Sequence, residues 1–299
     1  MPELPEVQTI VSDLEILVGQ QFADFFSAAP KAIKNISVAN FTQEIIGQKI
    51  KSVSRLGKII LIRLVSDKTI AIHLKMTGKL IIVERKAWNV KREKNTMVRS
   101  QILKNKLATV NRELRTIPKH LHHIFFLKNK VLKFYDVRKF ATISLLSNDD
   151  IAIIKNNYGI DPIADIFSLK HFSVLLEKGK SRQIKEVLMN NSLILGIGNI
   201  YASEILFNAR ILPSRKTDSL DNTEIKTLHV SIKKILTKAI KLRGTSISDY
   251  RDANDKSGSF QKYLYVYRRN GQKCKKCATI ISRSVIGQRS TFFCANCQR

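Results

Sequence analysis

The chain has 299 residues, long enough for two domains, and its 52 Lys and Arg against 24 Asp and Glu give a formal net charge of +28. Hydrophobic residues make up 44% of the sequence, which excludes a disordered chain, and the apolar runs are too short to span a bilayer. The N-terminus lacks the basic and apolar regions of a signal peptide, so we expect neither a membrane protein nor an exported one.

The first predicted element is a helix that follows the acidic motif PELPEV. Apolar residues recur at helical spacing from Val7 to Val18, Pro5 lies in the first turn, and Gly19 ends the helix. The two glutamates of the motif lie where negative charge stabilises a helix N-terminus. A role in stabilising the helix N-terminus would be enough to explain the two glutamates. A catalytic role would also explain them.

The chemical interpretation begins with Pro2. Removal of Met1, expected before so small a residue, would leave Pro2 as a free secondary amine. An amine that is neutral near pH 7 is a nucleophile toward a sugar aldehyde carbon and can form an iminium, with Glu3 moving the proton for the sugar ring oxygen.

Period-two alternation from about residue 48 to residue 146 predicts β-strands joined by short turns. The predicted strands are KIKSVSRL, KIILIRLV, TIAIHLKM, KLIIVE, HIFFLKN, KVLKFYDV and FATISLL. An antiparallel sandwich or barrel fits these segments. Residues 85–119 break the pattern with eleven Lys or Arg and only two acidic residues, so we predict a basic surface insertion there.

The pattern becomes helical beyond residue 147. Predicted helices begin at Ser147, Ser168, Ser181, the motif NIYASEILFNA and Asp221, and two of them end at Gly179 and Gly244. The sequence therefore predicts an α+β protein. We expect an N-terminal domain over residues 1–147, a linker over 148–160, a helical domain over 161–261 and a small C-terminal unit over 262–299.

All four cysteines lie in the C-terminal unit, with the spacing C-x2-C-x16-C-x2-C: Cys274, Cys277, Cys294 and Cys297. Two C-x2-C pairs offer four thiolates to one tetrahedral ion, and the span between them has hairpin length. Disulfide pairing is the alternative, but no export signal supports an oxidising compartment. We predict one structural Zn²⁺ per chain.

The excess of positive charge indicates a polyanionic partner. Nucleic acid is the simplest one, because phosphate backbones bind clusters of Lys and Arg. Charge alone does not separate DNA from ribosomal or other RNA, and a genome rich in A and T would also enrich lysine. The turn GIGN adds a more specific signal, since Asn199 at a helix N-cap beside free backbone N–H groups predicts an anion site.

Seven motifs occur in the order in which one known family carries them. They are PELPEV, LGKII at 56–60, HLKMTG at 73–78, DVRKFA at 136–141, IKEVLM at 184–189, GIGNIYASEILF at 196–207 and the cysteine pairs. The chain resembles the formamidopyrimidine-DNA glycosylases, which are bifunctional base-excision repair enzymes, over its whole length apart from the insertion. The resemblance implies an N-terminal antiparallel β-sandwich with a flanking helix, a C-terminal helical domain with a helix–two-turn–helix, and a zinc-ribbon β-hairpin.

The resemblance implies catalytic roles for four residues. Pro2 would attack C1′ of the damaged nucleotide, and Glu3 would be its acid–base partner. Lys58 would be a second proton donor near the lesion phosphate, and Arg289 would hold phosphate during the last elimination step. Taken alone, Lys58 would be interpreted as a solvated strand end and Arg289 as one more surface charge.

The resemblance also implies a set of DNA-binding residues. Glu6 would bind the extruded nucleotide, and three side chains would fill the void that it leaves: Met76, Arg138 and Phe140. Contacts to the DNA strand would come from His120, Lys180, Lys185 and Asn199. Without the family, Met76 and Phe140 would be predicted as core residues, and GIGN as an ordinary helix turn.

The implied reaction is excision of oxidised purines (8-oxoguanine and formamidopyrimidines) from duplex DNA through a Schiff base at Pro2, followed by β,δ-elimination at the abasic site. The alternatives are an endonuclease VIII-like enzyme for oxidised pyrimidines and a non-catalytic zinc protein that binds nucleic acid. We expect a monomer in the cytoplasm of a bacterial cell. Five positions depart from the family pattern and leave lesion preference open: Lys75, Val137, Lys139, Ala141 and Arg243.

Overall fold

The computed structural model describes residues 1–85 and 118–299, so the predicted basic insertion lies almost entirely outside the described residues. The helices are α1 (Leu4–Leu14), α2 (Val38–Ile45), α3 (Asn148–Asn156), α4 (Leu169–Lys178), α5 (Ile184–Met189), α6 (Asn199–Ala209) and α7 (Asn222–Lys241). The strands are β1 (Phe22–Ser27), β2 (Ile33–Lys34), β3 (Ile50–Leu56), β4 (Ile59–Leu64), β5 (Thr69–His73), β6 (Gly78–Glu84), β7 (Leu121–Leu127), β8 (Lys130–Asp136), β9 (Thr142–Leu146), β10 (Ser282–Ile286) and β11 (Arg289–Phe293). None of these helices combines the length and hydropathy needed to cross a membrane.

Two sheets pack face to face in the N-terminal part, which confirms the predicted sandwich. One sheet has the order β1-β7-β8-β6 and is antiparallel throughout, whereas the other has the order β2-β9-β5-β4-β3. In the second sheet the short β2 runs parallel to β9, a pairing that the sequence pattern did not predict. Apolar side chains from both sheets and from α1 form a single buried cluster, so the inner faces of the sandwich share one core.

The helical part is built around α6, which confirms the predicted helix–two-turn–helix. Eight of the eleven residues of α6 are buried, so α6 is the central helix, and α4, α5 and α7 contribute to the same apolar cluster. The predicted helix start at Ser181 is wrong. Ser181 has φ +63°, and α5 begins only at Ile184, because a left-handed residue cannot belong to a right-handed helix.

Helix α1 joins the two parts of the protein. Leu4 packs in the helical core, whereas Val7 and Ile10 pack in the sandwich core. At its C-terminal end, Asp13 binds the guanidinium of Arg243 at 2.6 Å, and Arg243 also binds the buried Asp252 at 2.5 Å. The N-terminus of α1, with its acidic motif, therefore lies at the junction of sandwich and helices.

Three of the departures from the family pattern have left-handed backbones: Lys75 with φ +50°, Lys139 with φ +54° and Arg243 with φ +60°. A residue with a Cβ loses about 1–2 kcal/mol of stability in this conformation. The two ion pairs of Arg243 offset this loss of stability, and Arg243 lies just after the end of helix α7.

Candidate active site and metal centre

The N-termini of α1 and α6 meet through the carboxylate of Glu3. This side chain is only 4% exposed, and its oxygens accept hydrogen bonds from the backbone N–H groups of Gly198 (2.9 Å), Ile200 (3.0 Å) and Tyr201 (3.3 Å). The predicted anion site at the GIGN turn therefore exists, but the anion in it is Glu3. The N-cap is Gly198, and Asn199 is the first helical residue, so the N-cap prediction for Asn199 is wrong by one position.

Glycine at position 198 permits this approach. A Cβ on Gly198 would overlap the Glu3 carboxyl group, so a larger residue would push Glu3 off the helix N-terminus. Helix α1 is also anchored by its own backbone, because the N–H of Leu4 donates to the carbonyl of Gly196 at 3.0 Å. Glu3 is thus held by contacts that lie almost two hundred residues away in sequence.

Glu6 lies directly behind Glu3, with 2% of its surface exposed. Its carboxyl accepts from the backbone N–H of Glu3 (2.8 Å), the backbone N–H of Thr245 (2.7 Å) and the hydroxyl of Tyr201 (2.5 Å). Burial, together with the negative charge of Glu3, raises the pKa of Glu6 to about 7. Glu6 is therefore partly protonated near neutral pH.

Pro2 lies beside this pair of carboxyls and is itself buried, whereas Met1 is 50% exposed. An exposed first residue is open to an aminopeptidase. Its removal would place the proline amine next to Glu3, at the edge of the junction described above.

Lys58 approaches the same junction from the turn between β3 and β4. Its ammonium donates to the carbonyl of Ile197 at 3.2 Å. Burial lowers the pKa of Lys58, the carboxylates of Glu3 and Glu6 oppose that shift, and the guanidinium of Arg289 adds to it. Ile197 directly precedes Gly198, whose N–H binds Glu3. Asn199 follows and binds the carbonyl of Ser290, the neighbour of Arg289, so Lys58, Glu3 and Arg289 lie near the same turn.

Two predicted phosphate-binding residues, Lys185 and Asn199, contact strand β11. The ammonium of Lys185 donates to the hydroxyl of Thr291 (2.7 Å) and the carbonyl of Ser290 (3.3 Å), and the side-chain amide of Asn199 donates to the same carbonyl (2.9 Å). Burial lowers the pKa of Lys185 to about 8, and Arg289 adds to this shift while Glu3 opposes it. These contacts position β11, at whose start the exposed Arg289 lies, and phosphate binding by Lys185 and Asn199 stays a prediction.

Met76, Arg138 and Phe140 form one exposed group on two neighbouring loops. Met76 is 45% exposed and Phe140 53%, so the interpretation of either as a core residue is wrong. The guanidinium of Arg138 lies 2.9 Å from the Met76 sulfur and 4.7 Å from the centre of the Phe140 ring. We call these three side chains the wedge cluster.

The buried Asp136 holds the two loops of the wedge cluster together. One of its oxygens accepts from the hydroxyl of Thr77 (2.5 Å) and the backbone N–H of Arg138 (3.3 Å), and the other accepts from the backbone N–H of Ala141 (2.8 Å). We did not select Asp136 from the sequence, although it opens the DVRKFA motif. An acid at the end of a predicted strand was the available signal.

Two further predicted DNA contacts are His120 and Lys180. His120 immediately precedes β7 with φ +73°, and its carbonyl accepts from the backbone N–H of Asp136 at 2.9 Å. Lys180 is exposed just after α4. Within residues 1–85 and 118–299, neither side chain bonds to Glu3, Lys58 or Arg289, so their roles stay predictions.

The four cysteines form a compact thiol cluster. All four are free thiols, and their sulfur atoms lie within 4.8 Å of one another. The Cys274–Cys297 and Cys277–Cys294 sulfur pairs are 3.9 and 3.4 Å apart. Ligands of a tetrahedral zinc with Zn–S bonds of about 2.3 Å lie about 3.8 Å apart, so the residues present fit this ion, and the disulfide alternative is wrong.

Replacement of one thiol is expected to unfold the ribbon. Its apolar core has only six buried residues, two of them cysteines, and so small a unit depends on its metal for folding. Cys294→Ser should lower the zinc content below one ion per chain and expose residues 262–299 to proteolysis, while the sandwich stays folded. The control is Val285→Ala, which changes a side chain that is 68% exposed in the hairpin between the cysteine pairs. Full zinc content in Cys294→Ser would contradict the assignment.

Three family models match successive parts of the chain: the formamidopyrimidine-DNA glycosylase N-terminal domain (residues 1–143), the formamidopyrimidine-DNA glycosylase H2TH domain (158–251), and the zinc finger found in FPG and IleRS (271–299). The formamidopyrimidine-DNA glycosylases of Carboxydothermus hydrogenoformans and Herpetosiphon aurantiacus are each 36% identical to the chain, with 100% of both chains covered.

The structure is also similar to solved complexes of Lactococcus lactis Fpg. The complex with DNA that contains an abasic site has a TM-score of 0.82 at 32% identity and covers 99% of each chain. The complex with Fapy-dG containing DNA has a TM-score of 0.81 at 32% identity and covers 99% of this chain and 100% of the other. The zinc-finger match and the thiol cluster agree, so the chain carries one structural zinc site.

Proposed function

Because the chain belongs to the formamidopyrimidine-DNA glycosylase family, we propose that it excises oxidised purines from duplex DNA and then cleaves the abasic strand. The observation that carries this proposal is the convergence of Pro2, Glu3, Glu6 and Lys58 at the junction between sandwich and helices. A protein that only binds nucleic acid has no need for a buried proline next to two buried carboxyls.

The first proposed step is attack of the Pro2 amine on C1′ of the damaged nucleotide. A bond forms between the proline nitrogen and C1′, the glycosidic bond breaks, and the base leaves with the electron pair and takes up a proton. The amine must first be freed of Met1 and must lose its own proton. Glu3 is the nearest carboxylate, and it can move the proton to the ring oxygen of the sugar as the ring opens to the iminium.

The second proposed step is strand cleavage by elimination. The iminium acidifies the hydrogen on C2′, so loss of that proton expels the 3′ phosphate, and a second elimination expels the 5′ phosphate. Lys58 and Arg289 carry positive charge into the same volume, where they can hold the leaving phosphates. The lowered pKa of Lys58 also makes its ammonium a better proton donor than an ordinary lysine.

The proposed substrate is duplex DNA, and the wedge cluster supports this. A glycosylase must take its target base out of the stack, and an exposed Met–Arg–Phe group can fill the resulting gap. The net charge of +28 supplies the attraction to phosphate. The similar Lactococcus lactis structures contain DNA with an abasic site or Fapy-dG, and the curated relatives are bacterial, so we propose the bacterial cytoplasm as the compartment.

The endonuclease VIII-like alternative is disfavoured by two features of the chain. It has the opening PELPEV and the complete wedge cluster, whereas the pyrimidine-specific branch opens differently. The binding-protein alternative predicts affinity for DNA without turnover.

A single-turnover assay on three duplexes tests the proposal. One duplex carries 8-oxoguanine, one carries an oxidised pyrimidine, and one is undamaged. We expect base release and strand cleavage on the first duplex at a higher rate than on the second, and none on the third. The opposite order of the first two would indicate the pyrimidine branch, and binding without cleavage of any duplex would leave the binding-protein function.

A further inference from the structure

The side chain of Arg55 lies where three segments that carry the proposed catalytic groups meet. It is only 5% exposed. Its Nε donates to the amide oxygen of Gln8 at 2.7 Å. Its Nη2 donates to one carboxylate oxygen of Asp161 at 3.1 Å, and its Nη1 forms an ion pair with the other oxygen at 2.7 Å.

Each partner of Arg55 belongs to a segment that adjoins a different part of the proposed site. Gln8 belongs to α1, the helix that begins just after Pro2 and Glu3. Asp161 belongs to a segment that pairs with residues 193–195, because the N–H of Ile160 donates to Leu193 and the N–H of Leu195 donates to Ile160. Residues 193–195 directly precede the GIGN turn, which binds the Glu3 carboxylate.

Arg55 itself lies three residues before Lys58, at the end of β3. Two other contacts join the β3–β4 turn to the helical part. Lys58 donates to the carbonyl of Ile197, and Gly57 packs against Leu195. Since the guanidinium has a rigid planar fork and almost no contact with water, it determines distance and angle between these segments more strictly than a flexible ammonium could.

We infer that Arg55 is a positioning residue that sets the placement of Lys58 relative to Pro2 and Glu3. It touches no reacting atom. It acts by holding the β3–β4 turn, helix α1 and the segment before the GIGN turn in one arrangement. The inference rests on the proposed function, because placement of these groups matters only if they carry out the reaction.

The test is Arg55→Lys, which keeps the positive charge but replaces the planar guanidinium with a flexible ammonium. A misplacement of about 1 Å costs on the order of 10²-fold in rate, so we expect the single-turnover rate of excision and strand cleavage at saturating enzyme to fall by about that factor. The dissociation constant for the same DNA should stay close to that of the wild type, because Arg55 is buried away from phosphate. Asp161→Asn should have a similar effect, and the double variant should be no slower than the slower single variant.

The matched control is Arg215→Lys. Arg215 also binds a carboxylate through both terminal nitrogens, to Glu224 at 2.5 and 3.0 Å, but this pair lies within the helical part. Arg215→Lys should lower the melting temperature without lowering the single-turnover rate at saturating enzyme. A rate loss in Arg215→Lys as large as that in Arg55→Lys would reduce the role of Arg55 to general stability and overturn the inference.

Gln8→Met provides a second variant if Arg55→Lys does not fold. It removes only the contact with α1, creates no buried charge, and should slow excision while the Arg55–Asp161 pair remains. Wild-type rates in both Arg55→Lys and Gln8→Met would overturn the inference. Failure of the wild-type protein itself to excise any damaged base would instead count against the proposed function, so the two failures are distinguishable.

Discussion

Borohydride added to the protein and duplex DNA that carries 8-oxoguanine is expected to trap a covalent adduct on Pro2. Reduction converts the iminium to a stable amine, and mass spectrometry of the digested complex should place the added mass on the N-terminal peptide that begins with Pro2. Pro2 is buried beside Glu3, and Met1 in front of it is exposed and removable. Trapping should be complete in a single turnover, because the amine is the nucleophile itself.

The control is a chain with one glycine inserted between Met1 and Pro2. Its proline nitrogen stays in a peptide bond after trimming, so the adduct on Pro2 should disappear while DNA binding remains. Lys58 is the competing nucleophile, because burial lowers its pKa. An adduct on Lys58 would transfer the nucleophile to that residue, and no adduct on any residue with DNA bound would leave only the binding function.

Glu3→Gln is expected to slow base excision by a factor on the order of 10²–10⁴ if the carboxylate moves the proton. DNA affinity should fall little, because phosphate contacts from the basic surface supply most of it. The structure adds a cost in stability. The amide of glutamine keeps only one of the two acceptor oxygens, so at least one of the N–H groups of Gly198, Ile200 and Tyr201 faces an NH₂ group, and an unsatisfied buried donor costs about 1–3 kcal/mol.

Glu204→Gln separates the loss of chemistry from the loss of stability. Glu204 is 2% exposed, and its carboxylate also accepts from three backbone N–H groups, those of Tyr265, Val266 and Tyr267. The same substitution there should lower the free energy of unfolding by a similar amount and leave the single-turnover rate at saturating enzyme unchanged. Equal excision rates for wild type and Glu3→Gln would make Glu3 a purely structural N-cap, and Glu6, with its pKa near 7, would be the next acid to test.

Local patterns in the sequence were sufficient for most of the regular structure. Helices α3, α4 and α7 begin after Ser147, Ser168 and Asp221, as their capping side chains predict. Strands β3 to β9 lie where the alternating pattern predicts them. By contrast, β1, β2 and α2 were missed. In β1 the sequence FADFFS does not alternate, and its pairing with β7 bridges about a hundred residues.

The sequence by itself determined which residue types are present and which local elements they form: an acidic start before a helix, alternating strands, capped helices and two cysteine pairs. Only the tertiary structure decided what each side chain faces. The GIGN turn binds Glu3 instead of an external anion, Lys185 and Asn199 hold β11, and Met76 and Phe140 are exposed together. The physical reason is that helix and strand patterns arise between near neighbours, whereas these contacts join residues 60 to 200 positions apart and depend on how whole elements pack.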